Sequence, residues 1–308
     1  MVIATSVGSK TWFGTRDYSQ WIETPLSGAN VSAESSSAGG TLLNGGGWQK
    51  DSNGSHKTYN FSWRKSSTRQ ELQIMKNYRD GTWGDGLIHF VLPTTYDTNI
   101  LPAAHADPSL ATRGGPSLAR GATITASRDS TLLDTPYDFR LQNYPLMWTK
   151  YSFPTGTPAA PKRLFVPIPE GFSLHLGAVW QGTSNTALRV RRVKQDGTFG
   201  TTFTVTSIPA WIDKVTTTDL IGNGDAGVEL WLEKTGTAVG TFEIKAMTAR
   251  LQPAFKSPDA ISVGPWVGGQ GNSGCRFDGA VNEVLHTGLN GGQVEYGANF
   301  REVGSWEQ

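Results

Sequence analysis

The stretch SSTRQELQIMKNYRDGTWGDG (residues 66–86) carries the one convincing helix signal in a chain of 308 residues. Thr68 and Glu71 have the spacing of a capping box, in which each side chain satisfies a backbone N–H of the first turn. Gly81 suits the left-handed conformation that often ends a helix. Short strands and turns are indicated on both sides of the stretch. The sequence therefore predicts one isolated helix in a β-rich chain.

One face of this helix is predicted to be apolar. Its apolar side chains recur at helical spacing, namely Leu72, Ile74, Met75 and Tyr78. A helix of about three turns is marginal by itself, because the cost of nucleation is spread over few hydrogen bonds. We therefore expect these four side chains to pack on a sheet.

The composition favours an all-β protein without a nucleic-acid partner. The formal net charge is +1 and only 17% of residues are charged, whereas nucleic-acid binding needs a clustered basic face. The 37 glycines and 11 tryptophans suit many turns and strands. Few charges also suit a protein that buries part of its surface in an assembly, because charged residues are depleted at interface cores.

One basic run stands out in this weakly charged chain. The segment LRVRRVKQDG (188–197) contains Arg189, Arg191, Arg192 and Lys194. It is interpreted as a solvated strand face in preference to a phosphate site, because most charge runs are solvated.

The sequence contains no clear catalytic or metal-binding motif, so we expect no enzyme activity, no metal and no cofactor. Cys275 is the single cysteine and is interpreted as a small buried apolar residue. The five histidines lack metal-ligand spacing. Glu229 and Glu233 would share a strand face, and a hydrolase reading of this pair is the weakest alternative, because acids on strands are common.

Segments for export or for membrane insertion are not indicated. The first ten residues, MVIATSVGSK, lack the charged and apolar regions of a signal peptide. No apolar run reaches the length that spans a bilayer. We expect a soluble protein that is synthesised in the cytoplasm.

Composition and turn signals divide the chain into three parts. Residues 1–121 are predicted to form a first β domain, and they end in a long Pro- and Ala-rich arm from about residue 94. Residues 122–255 contain short alternating runs typical of a β-sandwich or jelly roll. Residues 256–308 comprise a linker, a Gly-rich loop and a strand. That strand has Val294, Tyr296, Ala298 and Phe300 in phase and is predicted to return to the first domain.

The order of these motifs resembles a known family. The segment from Gln70 to Pro102, the block GGQGNSGCRFDG (268–279) and the ending NGGQVEYGANFREVGSW (290–306) resemble the distal tail, or minor tail, proteins of long-tailed (siphovirus-type) phages of actinobacteria. The resemblance implies a tail-tube-like β-sandwich with one short helix. It also implies an inserted galectin-like or carbohydrate-module-like sandwich.

The resemblance also implies a structural role in the virion. Family members form a ring, usually of six copies, that joins the tail tube to the distal hub at the tail tip or baseplate. The implied partners are further copies of the chain, the tail tube protein, the tail hub protein, and either a receptor-binding protein or a host glycan. The Gly-rich loop is our candidate for inter-subunit contact, through Gly269, Gly271, Cys275 and Arg276.

A carbohydrate-binding adhesin is the main alternative to a ring subunit. Four tryptophans of the insert could form a stacking platform for a cell-wall glycan: Trp148, Trp180, Trp211 and Trp231. Tryptophans on strands are more often part of a core, and no individual sugar-binding residue of the family's insert can be matched. Exposed, coplanar rings would favour the adhesin.

Overall fold

The chain is almost entirely β-structure in its computed structural model. The residues that the structure describes are 10–26, 30–34, 37–41, 47–51, 56–84, 86–93, 99–106, 118–128, 147–205, 212–217, 225–253, 269, 271, 274–285 and 293–303. They contain nineteen strands and two short helices, which confirms the predicted all-β class.

The helices are α1 (Arg69–Arg79) and α2 (Ala103–Ala106). The strands are β1 (Lys10–Gly14), β2 (Ser19–Glu23), β3 (Asn30–Glu34), β4 (Ser37–Thr41), β5 (Gly47–Asp51), β6 (His56–Thr68), β7 (His89–Val91), β8 (Thr123–Arg128), β9 (Met147–Phe153), β10 (Leu164–Pro167), β11 (Phe172–Gly182), β12 (Thr186–Lys194), β13 (Phe199–Val205), β14 (Ile212–Thr217), β15 (Asp225–Lys234), β16 (Gly240–Pro253), β17 (Cys275–Phe277), β18 (Asn282–Leu285) and β19 (Gln293–Glu302).

The predicted helix is confirmed as α1. Leu72, Met75 and Tyr78 are buried in a core with aromatic side chains of β1, β6, β7 and β19, and Ile74 packs against this core while only partly buried. Gly81 follows the helix with φ +73°, the left-handed conformation expected at a helix end. Burial of the apolar face supplies the stability that so short a helix lacks by itself.

The C-terminal strand returns to the first part of the chain, as predicted. β19 belongs to a five-stranded sheet in which four strands have the order β17-β19-β6-β3 and the fifth, β18, also pairs with β19. β19 lies antiparallel to β6, with Phe300 opposite Tyr59 and Ala298 opposite Phe61. Val294, Tyr296, Ala298 and Phe300 are all buried, because their period of two places them on one face.

The pair Asn53-Gly54 in the sequence favours a tight hairpin turn, but the strands on either side of it, β5 and β6, do not pair with each other. β5 pairs with β4, whereas β6 pairs with β3 and β19. Residues 53 and 54 themselves lie outside the described residues. The longer pairing surface of β6 buries Tyr59, Phe61 and Trp63, and this burial outweighs a local turn preference.

The middle of the chain forms a second sandwich. Its two sheets have the orders β10-β15-β12-β13 and β14-β11-β16-β9-β8. Their inner faces share one apolar core that includes Leu188, Leu230, Leu174 and Phe242. Side chains from outside residues 122–255 also enter this core. The domain limits at residues 121 and 255 therefore stay predictions.

The sheet β2-β1-β7 lies between the two cores. Phe13 and Phe90 belong to the core that contains α1, while the adjacent residues Trp12 and Val91 belong to the core of the second sandwich. Successive side chains of a strand point to opposite faces, so a single sheet can serve both cores. Among the described residues, no helix is long and apolar enough to cross a membrane.

Candidate functional site: the arginine–glutamate cluster

The candidate site lies on the outer face of the sheet β10-β15-β12-β13. Val228, Leu230 and Leu232 of β15 point into the sandwich core. The alternate residues Glu229 and Glu233 therefore lie on the opposite face, as their spacing predicted. In the neighbouring strand Arg191 is directly opposite Glu229.

Glu229 is a buried carboxylate surrounded by arginines. It is 2% exposed. Its Oε2 lies 2.6 Å from Arg191 Nη2 and 3.8 Å from Arg163 Nη1, and its Oε1 lies 3.2 Å from Arg16 Nη2. Burying a carboxylate is costly unless opposite charges and hydrogen bonds compensate, and the arginines supply both. We refer to Glu229, Arg16, Arg163 and Arg191 as the arginine cluster.

Aromatic rings hold the guanidinium groups of the cluster. Arg191 lies 3.4 Å above the ring centroid of Phe199, and Arg16 lies 5.4 Å from the same centroid. Arg163 and Arg191 lie 5.3 and 5.5 Å from the ring of Trp231. Cation–π attraction orients these groups without neutralising their charge.

The basic run of β12 is therefore not a solvated face, which corrects the sequence interpretation. Arg189 pairs with Glu233, Arg191 with Glu229, and Arg192 with Asp225, each at 2.6 Å. Acidic residues on β15, adjacent to β12 in the sheet, account for the difference, because cross-strand pairing is not visible in a local charge run. Lys194 is exposed.

The arginine cluster connects two parts of the fold. Arg16 comes from the turn between β1 and β2, whereas the other members come from the second sandwich. Nearby, Gln195 Nε2 donates hydrogen bonds to Ser19 O at 2.8 Å and Ser19 Oγ at 3.1 Å. These contacts help to fix the second sandwich against the sheet β2-β1-β7.

A buried histidine lies at the same junction. His89 of β7 is 4% exposed, and its ring lies 4.9 Å from Phe165 of β10 in an edge-on arrangement. Neither ring nitrogen has a hydrogen-bond partner among the described residues. Desolvation by burial lowers the pKa of His89 to about 4, so the imidazole is neutral at pH 7.

A second link joins the predicted arm to the second sandwich. Asn99 Nδ2 donates to Met247 O at 2.9 Å, and the backbone N–H of Ala249 donates to Asn99 Oδ1 at 2.9 Å. Ile100 and Leu101 enter the sandwich core. This part of the arm packs within its own chain, whereas residues 94–98 and 107–117 lie outside the described residues.

The predicted inter-subunit residues of the Gly-rich loop have mostly intramolecular contacts. A Cβ on Gly269 or Gly271 would overlap the backbone of Leu101–Pro102 or of Ile100, so these glycines allow two segments of one chain to touch. Cys275 is fully buried, and its backbone forms two hydrogen bonds with the backbone of Ile88. Arg276 alone of the four is exposed, and its contact with a neighbour stays a prediction.

The described tryptophans of the insert do not form an open platform. Trp180 is 1% exposed and stacks on Phe242 at 5.3 Å within the core. Trp231 is 6% exposed beneath two arginines. The side chain of Trp148 and the whole of Trp211 lie outside the described residues. Trp180 and Trp231 are therefore packed side chains and do not form a glycan-stacking platform, because both rings are covered.

The described residues offer little for nucleophilic or metal chemistry. Burial raises the pKa of the Cys275 thiol far above its ordinary value, which disfavours the reactive thiolate. Among the residues that the structure describes, no group of three His, Cys, Asp or Glu side chains could hold a metal.

Sequence reasoning identified Glu229, Glu233 and the basic run but missed Arg16, Arg163 and Phe199. Arg16 lies in a turn next to Asp17, and Arg163 lies in a loop next to Lys162. No local pattern marks such residues, so only the strand register brings them together.

Comparison with known proteins gives no family for the chain. No protein-family model matches, and no characterised protein matches by sequence. A domain of bacteriophage CBA120 tailspike protein 4 is similar over 50% of this chain and 21% of its own, with 15% identity and a TM-score of 0.36.

Two structures from Paenibacillus barcinonensis Xyn10C are also similar. The CBM22-1-CBM22-2 tandem domain matches over 57% of this chain and 55% of its own, with 13% identity and a TM-score of 0.30. The CBM22-1 xylan-binding domain matches over 44% of this chain and 90% of its own, with 12% identity and a TM-score of 0.26. Likeness at this level supports no functional conclusion.

Proposed function

We propose that the chain is a structural subunit of a phage tail tip. Several copies, for which we expect six, form a ring that joins the tail tube to the distal hub and host-attachment proteins. The proposal places the protein in the virion and gives it no catalytic role. It rests on the motif resemblance together with one structural observation, the return of β19 to β6.

The return of β19 supports this role because it makes the second sandwich an insertion within the first domain. β19 completes a sheet begun by β3 and β6, while the whole second sandwich lies between them in sequence. A sandwich inserted into a closed first domain can project outward without interrupting that domain. This is the arrangement that the resemblance implies for a ring subunit with an outward lobe.

An exposed strand edge offers a surface for self-association. β17 and β18 pair with β19 on one side. On its other side β17 is bridged to Ile88 through Cys275, whereas among the described residues β18 has no partner strand there. Val284 of β18 is 54% exposed, and Val303, which follows the end of β19, is 46% exposed. Arg276 of β17 is exposed as well. Unpaired edges are templates for strand pairing, and a ring results when such an edge pairs head to tail with a different surface of the next copy.

The test is to count subunits with the edge intact and with the edge blocked. Native mass spectrometry and electron microscopy of the full chain at high concentration should show closed rings with a central lumen. Val284→Lys should reduce the chain to monomers, because a charge on an edge strand opposes pairing. Val239→Lys is the matched control, since Val239 is 56% exposed in a turn of the insert. Rings formed equally by both variants would contradict this interface, and a wild-type chain monomeric at every concentration would contradict self-assembly.

The alternatives receive less support from the described residues. A hydrolase needs accessible carboxylates, yet Glu229 and Glu233 are both engaged by arginines. A glycan platform needs exposed rings, yet Trp180 and Trp231 are packed.

A further inference from the structure

The arginine cluster has more cationic groups than its carboxylate needs. Arg191 occupies the close position at Glu229 Oε2, 2.6 Å away, while Arg163 stands at 3.8 Å, beyond hydrogen-bond length. Among the described residues, no other carboxylate lies within ion-pair distance of Arg163, and Arg191 Nε has no hydrogen-bond partner. Two guanidinium groups thus share one oxygen atom and retain donors of their own.

These donors are held in place before any ligand arrives. Trp231 lies near both guanidinium groups, and Phe199 stacks on Arg191. The indole Nε1 of Trp231 is a further buried donor without a partner among the described residues. Aromatic contacts restrict the arginine side chains, so binding an anion costs less conformational entropy than at flexible surface arginines.

Arg163 is the most exposed arginine of the cluster. The side chain of Arg163 is 42% exposed, whereas those of Arg191 and Glu229 are 15% and 3% exposed. Phe199, which stacks on Arg191, is 46% exposed. A small group can therefore reach Arg163 from solvent, while the carboxylate of Glu229 closes the inner end.

We propose that Arg163 and Arg191, with Arg16 at the far side of Glu229, form a binding site for an oxyanion. The ligand is a carboxylate or phosphate group carried by a molecule outside this chain. Guanidinium groups match both oxyanions through paired N–H donors. The site uses none of the residues of the proposed β18 edge, so it adds a binding activity to the proposed ring role and does not depend on it.

The experiment follows thermal unfolding of the full chain in sodium phosphate, sodium acetate and sodium chloride at matched ionic strength. A saturable rise of the Tm with phosphate or acetate above that with chloride is expected, because a ligand of the folded state stabilises it. A rise with phosphate alone identifies a phosphate site, and a rise with acetate extends the site to carboxylates.

Two variants and a control separate this site from general ionic effects. Arg163→Gln should raise the dissociation constant roughly tenfold, the loss typical of one charged hydrogen bond. Glu229→Gln should lower the dissociation constant, because it removes the competing negative charge. Arg64→Gln, which changes an exposed arginine on β6, should leave the dissociation constant unchanged.

The proposal is overturned if neither anion shifts the Tm more than chloride does. It is equally overturned if Arg163→Gln and Arg64→Gln weaken binding alike. Should Glu229→Gln fail to fold, the Arg163→Gln comparison alone decides, since Arg163 is exposed enough for its loss to be tolerated. Ring formation is measured separately, so either proposal can fail without the other.

Discussion

At the scale of the residue, buried ionisable groups shape the junction between the two sandwiches. Glu229 is stabilised there by opposite charges, whereas His89 avoids its own charge by staying neutral. The difference follows from the surroundings: Glu229 faces guanidinium groups, while His89 faces Phe165. Burial without a counter-charge favours the neutral form of a histidine.

We predict that acid weakens the protein through His89. At pH 7 the imidazole is neutral in both the folded and the unfolded chain. Below the unfolded pKa of about 6.5, the unfolded chain binds a proton that the folded chain excludes until the pH approaches about 4. The free energy of unfolding should therefore fall as pH decreases through this window, by about 1–2 kcal/mol for this group at pH 5.

Urea unfolding of wild type and His89→Leu at pH 7 and pH 5 measures this effect. The variant cannot bind the proton, so its free energy of unfolding should fall less between the two pH values. His105 is present in both proteins, and its contribution therefore cancels. Equal losses in the two proteins would mean that His89 is not the group responsible.

At the scale of the element, α1 depends on the sheet that it covers. Met75 is fully buried in the first core, between Leu72 and Tyr78 along the apolar face. Phe13 contacts Tyr78 edge-on, with ring centroids 5.3 Å apart. The helix is therefore held mainly by these tertiary contacts, with the caps as a smaller contribution.

Met75→Ala should lower the free energy of unfolding by about 2–4 kcal/mol, because it removes buried apolar volume and leaves a cavity. Gln73→Ala is the matched control on the exposed face of the same helix. It should change the free energy by at most about 0.5 kcal/mol, since surface substitutions rarely do more. Denaturant unfolding measures both, and a similar small effect of the two variants would show that α1 contributes little to the core.

At the scale of the whole molecule, the second sandwich includes residues that precede its first strand, β8. Asn99 bonds to Met247 and Ala249, and Ile100 and Leu101 enter the sandwich core. Residues more than twenty positions before β8 thus complete the sandwich. A boundary at residue 121, set by composition, would leave this segment out.

We predict that a fragment of residues 99–255 is more stable than a fragment of residues 122–255. The longer fragment keeps the apolar side chains of Ile100 and Leu101, whose burial contributes roughly 1.5–3 kcal/mol each. Urea unfolding of the two fragments measures the difference. Asn99→Ala in the longer fragment should remove part of the gain. Equal urea midpoints for the two fragments would support the boundary at residue 121.

β19 and the Gly-rich loop show how much of the structure could be predicted from the sequence. The phase of Val294 to Phe300 predicted a buried strand, and the predicted return to the first domain was correct. Gly269 and Gly271 were predicted to contact a neighbouring subunit, which stays a prediction, and in the structure they allow a close backbone approach within the chain. Their partner could not be predicted, because a glycine permits a contact without specifying which backbone makes it.

The sequence by itself determined the all-β class, the single substantial helix and the face that this helix buries. Those features follow from periodicity and capping, which act between near neighbours in the chain. Only the tertiary structure decided that Arg16, Arg163 and Arg191 meet at Glu229, and that Trp180 and Trp231 are covered. These outcomes depend on strand order and register, which join residues more than two hundred positions apart and leave no local pattern.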